Sequence, residues 1–204
     1  MTSRPAVRGP YAKGRLRRQE ILDVALELLA VDGLHTTSLE QIARRVGITR
    51  PGLLHYFGSR ELLLVAVLEA RDERDIAAGI AESRAGESLA DGLDRVLTRT
   101  RESPGLARLF TSFAAEATDP AHVAHVFFLE RYRRIRTTVQ QGILAAIDRG
   151  EVGPDVDAER AGQQVLGVLD GLQLHWLIDP ELDTRAALRN AIELLLPPGP
   201  GARV

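Results

Sequence analysis

Apolar residues recur three and four positions apart along almost the whole chain, with no sustained two-residue alternation and no internal repeat of about 20 to 50 residues. That pattern predicts an all-α fold. Ile21, Val24, Ala25 and Leu28 mark one face of a first helix from Arg15 to Val31, and Gly33 stands where a left-handed cap would end it. Ser38 and Gln41 have the spacing of a capping box opening a short second helix, whose inward face is Leu39, Ile42, Ala43 and Val46. Gly47 allows a sharp turn, and Thr49 caps a third helix. Pro51 then falls within its first turn, where backbone N–H groups have no intrahelical partner to lose. Gly52 reads as a bare surface that lets the helix tip approach another molecule closely. Ser59 caps a fourth helix running toward Arg74.

The remaining helices are punctuated in the same way. Ser88 opens one to about Arg101, and Ser103 with Pro104 opens SPGLARLFTSFAAEA. Asp119 and Pro120 repeat that signal ahead of a long helix whose stripe is His125, Phe128, Tyr132, Ile135, Val139, Ile143 and Ala146, ending at Gly150. Asp157 opens AERAGQQVLGVLDGLQLHWLID, and TRAALRNAIELLL is the last helix before PPGPGARV, read as a frayed tail. The final two helices are apolar over more than a single stripe, so they need cover on two sides. Either they are central in the protomer or one side packs on a symmetry mate. The homodimer is the preferred reading, with Val165, Leu169, Leu172, Ala191 and Leu195 as its contact residues.

Composition narrows the chemistry. There is no cysteine, which excludes disulfides, thiolate metal sites and cysteine nucleophiles. The N-terminus lacks the apolar run of a signal peptide and no later run is long enough to span a bilayer, so a cytoplasmic protein without membrane contact is expected. Lys13 is the only lysine among 26 basic residues, an arginine bias in keeping with GC-rich codons. The net charge of −2 conceals an asymmetry: residues 1–60 hold ten Lys/Arg against five Asp/Glu, while the rest hold 16 against 23. A basic front on an acidic back suits a phosphate-binding module joined to a non-binding one, although scattered solvated charges would give the same count.

Two short helices about a glycine turn, preceded by a longer one, have the layout of a helix-turn-helix. A recognition helix enters the major groove by its N-terminal end, where bareness and a positive dipole both help. Arg50 suits a two-pronged contact to guanine. Thr49, His55 and Tyr56 suit hydrogen bonds to phosphate, Arg60 sits at the next helix N-terminus, and Leu53 and Phe57 pack inward. Ser38, Arg44, Arg45, Pro51 and Gly52 complete the expected DNA-facing set. Lys13 and Arg15, with Arg17 and Arg18, form either an arm toward the minor groove or a disordered basic tail.

The run TSLEQIARRVGITRPGLLHYFGSRELLLVAVL resembles the N-terminal DNA-binding domain of TetR-type transcriptional regulators. The resemblance rests on Ile42-Ala43, Gly47-Ile48-Thr49, His55-Tyr56-Phe57 and Ser59-Arg60-Glu61, and it covers about residues 15–75. Two positions depart from the usual pattern: Leu54 stands where the family has a phosphate-binding tyrosine, and Arg60 replaces a lysine. The resemblance implies a second, helical domain that dimerises through its last helices and encloses a small-molecule pocket. The expected organisation is a flexible basic arm (1–14), a three-helix DNA-binding domain (15–75), a helical effector-binding and dimerisation domain (76–197) and a tail (198–204), with about nine helices in all.

Phe110, Phe113, Phe128 and Trp176 either line an effector cavity or simply fill core, the commoner use of aromatics at helical spacing. His122 and His125, near Glu116 and Asp119, have a spacing open to metal, but no further ligand is forced nearby and none is expected. Arg71 to Asp75, RDERD, reads as a solvated face. No catalytic motif and no cofactor site is evident. The function expected is a homodimeric, sequence-specific regulator, a repressor released from a palindromic operator on double-stranded DNA by a small organic effector. An effector-independent DNA-binding dimer, or an all-α enzyme acting on a small molecule, are the alternatives.

Overall fold

The local signals of the first sixty residues are realised as bonds in a computed structural model, which describes residues 10–34, 36–82 and 88–199. Nine helices are formed among the described residues: α1 (Pro10–Asp32), α2 (Leu39–Val46), α3 (Arg50–Phe57), α4 (Arg60–Glu82), α5 (Leu89–Glu102), α6 (Pro104–Glu116), α7 (His125–Asp148), α8 (Ala158–Ile178) and α9 (Thr184–Leu195). The capping box is complete, with the Gln41 N–H donating to Ser38 Oγ at 3.2 Å and the Ser38 N–H donating to Gln41 Oε1 at 2.7 Å. Gly47 adopts φ 76°, the left-handed turn that folds α3 back from α2.

Helices α1 to α4 form the head, and its core is not closed by the head alone. Ile21, Leu29, Ile42, Leu53 and Leu63 share one buried cluster with Leu106, Leu109, Phe110 and Phe113 of α6 and with Phe128 of α7. Six consecutive residues of α4, Leu63 to Leu68, are buried, so this helix is enclosed on every side over that stretch. The second cluster joins α5, the later turns of α7, α8 and α9 around Leu97, Val139, Ile143, Val165 and Leu188. The boundary expected near residue 75 is therefore a change of partners along the chain, crossed by a continuous core.

The head meets α6 backbone to backbone. Gly105, in the first turn of α6, lies against the last turn of α1: a Cβ there would collide with the Leu29 carbonyl oxygen and stand 2.9 Å from Gly33 Cα. Gly33 itself has φ 78°. No side chain fits between the two segments, which fixes where the body grips the head.

Three expectations are corrected. Helix α1 opens at Pro10 rather than Arg15, so residues 10–14 belong to a helix; residues 1–9 lie outside those described. Helix α7 begins at His125, not at Asp119. The Asp119 carboxylate accepts the Ala121 N–H at 2.9 Å and His122 Nδ1 accepts that of Ala124 at 3.3 Å, which holds residues 119–124 in turns. Residues 197–199 are no frayed tail: the Gly153 N–H donates to the Pro197 carbonyl at 2.9 Å and the Gly199 N–H to that of Glu151 at 3.1 Å, pinning the end of the chain to the α7–α8 connection. Residues 200–204 lie outside the described set.

Gly105→Ala should lower stability by about 2 kcal/mol or more, because the collision is with rigid backbone. Gly92→Ala in α5, where a Cβ meets nothing within 4 Å, should raise it by about 0.5 to 1 kcal/mol. Urea unfolding of the two variants checks both signs.

Candidate nucleic-acid interface

The tip of α3 is built by its cap. Thr49 is extended (φ −85°, ψ 158°), and its Oγ1 accepts the Gly52 N–H at 3.2 Å. Pro51 occupies the first turn, as its missing N–H requires. Thr49, Arg50, Pro51 and His55 are exposed, whereas Leu53 and Phe57 are buried at 0% and 7% exposure and hold the helix against the core. Gly52 is half-exposed at this tip. A Cβ there would lie 3.3 Å from Thr49 Oγ1 and 3.9 Å from Ile48 Cβ, so its bareness also makes room for the cap.

Arg44 and Arg45 are exposed at the end of α2 and make no ion pair or hydrogen bond among the described residues. Lys13 and Arg15 are exposed on the first turns of α1. Tyr56 is half-buried against the core, edge-on to His55 with centroids 6.0 Å apart, and Leu54 packs there too. Ser38 spends its hydroxyl on the capping box. Arg60 turns inward, donating to the Leu34 carbonyl at 3.1 Å, so it ties α4 to the α1–α2 connection instead of standing free. Arg17 likewise donates to the Val46 carbonyl at 3.0 Å, and the Arg18 guanidinium lies 4.9 Å from the Phe57 ring centroid; both belong to the fold and not to an arm. Arg50 is held by Glu40 of α2, Nη1 to Oε1, at 3.0 Å.

In the body the four expected pocket aromatics do not form one group. Phe110, Phe113 and Phe128 are packed in the core shared with the head, Phe110 and Phe128 edge to face at 5.1 Å. Trp176 is buried on α8 beside the Arg101 guanidinium, 5.9 Å from the ring centroid. Around them runs a polar network that the sequence did not disclose. Asp72 of α4, only 13% exposed, accepts from Arg131 Nε at 2.9 Å and Arg134 Nη2 at 2.8 Å, both on α7. Arg131 also stacks on Phe110 at 4.5 Å. Tyr132 donates to the Asp170 carboxylate of α8 at 2.8 Å, and Gln173 to Thr111 at 3.0 Å. Burial pushes the Asp170 carboxyl above its ordinary range, with the Tyr132 hydrogen bond opposing; the Tyr132 phenol rises through burial and the neighbouring carboxylate. The RDERD segment is a solvated face only in part: Glu73, Arg74 and Asp75 are exposed, but Arg71 is largely buried and pairs with Asp75 at 3.5 Å, and Arg74 reaches Asp23 of α1. A signal of partners on α7 and α1 cannot be read from alternating charge on one helix.

His122 and His125 close the α6–α7 turn, His122 beside Glu116 at 3.3 Å and His125 Nδ1 donating to the Ala117 carbonyl at 2.8 Å. No group of three metal-ligating side chains occurs among the described residues, and none of their helices is long and apolar enough to cross a membrane. Of the expected dimer residues, Val165 and Leu169 are buried in the protomer's own core and Leu172 and Leu195 pack against it. Ala191 is half-buried. The outward stripe of α8 is instead Gly167, Gly171, Leu174 and Ile178, with Leu194 of α9 75% exposed. The helical period puts these four on the face opposite Val165 and Leu169.

Two family models match the chain: residues 21–67 match "Bacterial regulatory proteins, tetR family" and residues 85–197 match "BetI-type transcriptional repressor, C-terminal". The HTH-type transcriptional regulator BetI of Rhizobium meliloti (strain 1021) is 27% identical over 165 residues, 78% of this chain and 77% of that protein. Among solved structures, the Saccharomonospora viridis protein in complex with choline superposes with a TM-score of 0.72 at 22% identity, covering 89% of this chain and 98% of that one. The transcriptional regulator FadR of Bacillus subtilis in complex with stearoyl-CoA gives 0.67 at 19% identity, covering 91% and 99%.

The cap geometry sets a graded expectation for stability. Thr49→Ala removes an N-cap bond and should cost about 1 kcal/mol. Ser103→Ala, where the serine makes no side-chain cap bond, should stay within about 0.5 kcal/mol of wild type. Thermal unfolding of the pair measures the difference.

Proposed function

The chain belongs to the TetR family of bacterial regulatory proteins and is a DNA-binding transcriptional regulator; from that premise we propose that it is a cytoplasmic homodimeric repressor released from a palindromic operator by a small organic effector. One observation carries the DNA-binding half of the reading. The tip of α3 presents Thr49, Arg50, Pro51 and His55 outward while Leu53 and Phe57 fasten its other side. Arg50 contacts base edges; Arg44, Arg45, His55 and Tyr56 contact phosphates, with Lys13 and Arg15 on the flank. Leu54 faces the core, so Tyr56, whose hydroxyl makes no hydrogen bond among the described residues, takes the phosphate contact that a tyrosine at position 54 would make.

The dimer forms through the outward stripe of α8 and the neighbouring face of α9. Gly167 and Gly171 have open space where a Cβ would stand, which lets a partner helix approach closely, and Leu174, Ile178 and Leu194 are the apolar groups left to cover. Two heads on such a dimer meet half-sites about 34 Å apart, one turn of DNA.

The effector reads out through α4. Asp72 is gripped by two arginines of α7, and α7 reaches α8 through Tyr132 and Asp170. A ligand between α6, α7 and α8 that favours another position of α7 shifts α4 and with it the head. The coupling needed is about 1 to 3 kcal/mol. Choline and stearoyl-CoA, bound by two proteins of this fold, differ so much that the fold alone does not name the effector.

Duplexes selected from the native genome, tested by fluorescence anisotropy, decide the reading. Arg45→Ala should weaken binding to all duplexes and flatten the salt dependence by about one unit of slope; unchanged binding would remove the phosphate assignment. Ile178→Arg should convert dimer to monomer in sedimentation and lower operator affinity at least tenfold. A compound that raises Tm and lowers operator affinity identifies the effector, and Asp72→Asn should blunt its influence on DNA binding.

A further inference from the structure

Glu40 is the second residue of α2, exposed, on the same short helix as Arg44 and Arg45 and paired with Arg50 of α3. An acid on a surface that meets phosphate raises the cost of sequence-independent binding. The fold does not need it for capping, since Ser38 and Gln41 already close the capping box. Its one partner among the described residues is Arg50, ten positions away across the turn, Nη1 to Oε1 at 3.0 Å with both side chains more than half exposed. Exposed ion pairs of this kind contribute little to stability.

We infer that Glu40 is a specificity-determining residue: its carboxylate fixes Arg50 toward the base edges of the major groove and withholds that charge from the phosphates. The inference rests on the placement of Arg50 at the DNA surface. Nη1 is taken by Oε1, and Nη2 and Nε have no partner among the described residues, so one edge of the guanidinium stays available to guanine O6 and N7. An arginine free of Glu40 would sample many rotamers and salt-bridge whichever phosphate lay nearest. Paired, it carries almost no net charge toward the backbone, so random DNA gains little from it. The carboxylate therefore lowers affinity for all sequences and lowers it least for the one in which the pre-oriented guanidinium meets guanine.

The test uses the full chain. A consensus duplex is selected from a random pool with the wild-type protein, and affinities for the consensus, its single-base variants and a scrambled duplex are measured across a salt series. Arg50→Ala identifies the base pair that Arg50 reads. Glu40→Ala should then lose about tenfold of the preference at that same pair, bind scrambled DNA several-fold tighter, and steepen the salt slope by about one unit. Glu40→Gln keeps an acceptor oxygen for Arg50 without the charge, so it should share the tighter scrambled binding and steeper slope while keeping most of the base preference. Unchanged thermal midpoints in both variants confirm an intact head. Wild-type preference and salt slope in both Glu40 variants, or a parallel loss of affinity for every duplex, would overturn the inference while leaving the DNA surface in place. An Arg50→Ala variant that keeps every base preference would instead overturn the assignment of Arg50 and, with it, everything built on Glu40.

Discussion

The backbone contact between Gly105 and the last turn of α1 is the constraint on which the rest of the molecule depends. The two short helices of the head, with α1 and α4, leave an apolar face open, and α6 closes it at a separation that admits no side chain. Close packing of this kind behaves as a solid: interiors at crystal-like density shift as units and do not deform by degrees. The head is consequently carried by α6 and by the buried stretch of α4, and a displacement of either must move it.

That arrangement explains why the body invests charge where the sequence suggested solvent. Asp72 lies on α4 beyond its buried stretch, where the core no longer encloses the helix, and two guanidinium groups of α7 hold it there. A partly buried carboxylate accepting two charge-assisted hydrogen bonds is firmly placed, and removing a partner is costly. Arg131 completes the connection by lying on Phe110, itself a member of the core shared with the head. The same side chain thus touches the apolar joint and the polar one.

Most of the helix-turn-helix was legible in the sequence because its determinants are local. Ser38, Gln41, Gly47, Thr49 and Pro51 each act on backbone groups within a few residues, and each is found making the bond or angle its position implies. What escaped depends on partners distant in sequence. That Gly52 also clears the Thr49 cap follows from the direction of its absent Cβ, which the sequence does not give. Arg60 looked like an anion ligand, but Leu34 offers its carbonyl first. Asp119 and Pro120 resembled a helix start; the carboxylate closed a turn instead, and the helix waited for His125. Val165 and Leu169 were rightly apolar and wrongly turned outward, because a helix covered on two sides shows the same residues whichever side the protomer claims. Gly167 and Gly171, where a Cβ would meet nothing within 4 Å, and the exposed Leu174 and Leu194 were the better sign of an outer face.

A regulator of this design must satisfy two demands that pull apart: the head has to be rigid on DNA, and its position has to yield to an effector worth only about 1 to 3 kcal/mol of coupling. An apolar joint alone would meet the first and fail the second, because re-registering packed side chains passes through voids and clashes that cost as much or more. Hydrogen-bonded charges differ in that respect. Arg134 is half-exposed, so water can solvate its guanidinium as the helices shift, and breaking its bond to Asp72 costs less than breaking the more enclosed Arg131 pair. Arg131, 18% exposed and stacked on Phe110, is less open to such exchange. One more enclosed and one exposed guanidinium on a single carboxylate therefore tie α4 to α7 unequally, while the backbone contact at Gly105 fixes the head against α6.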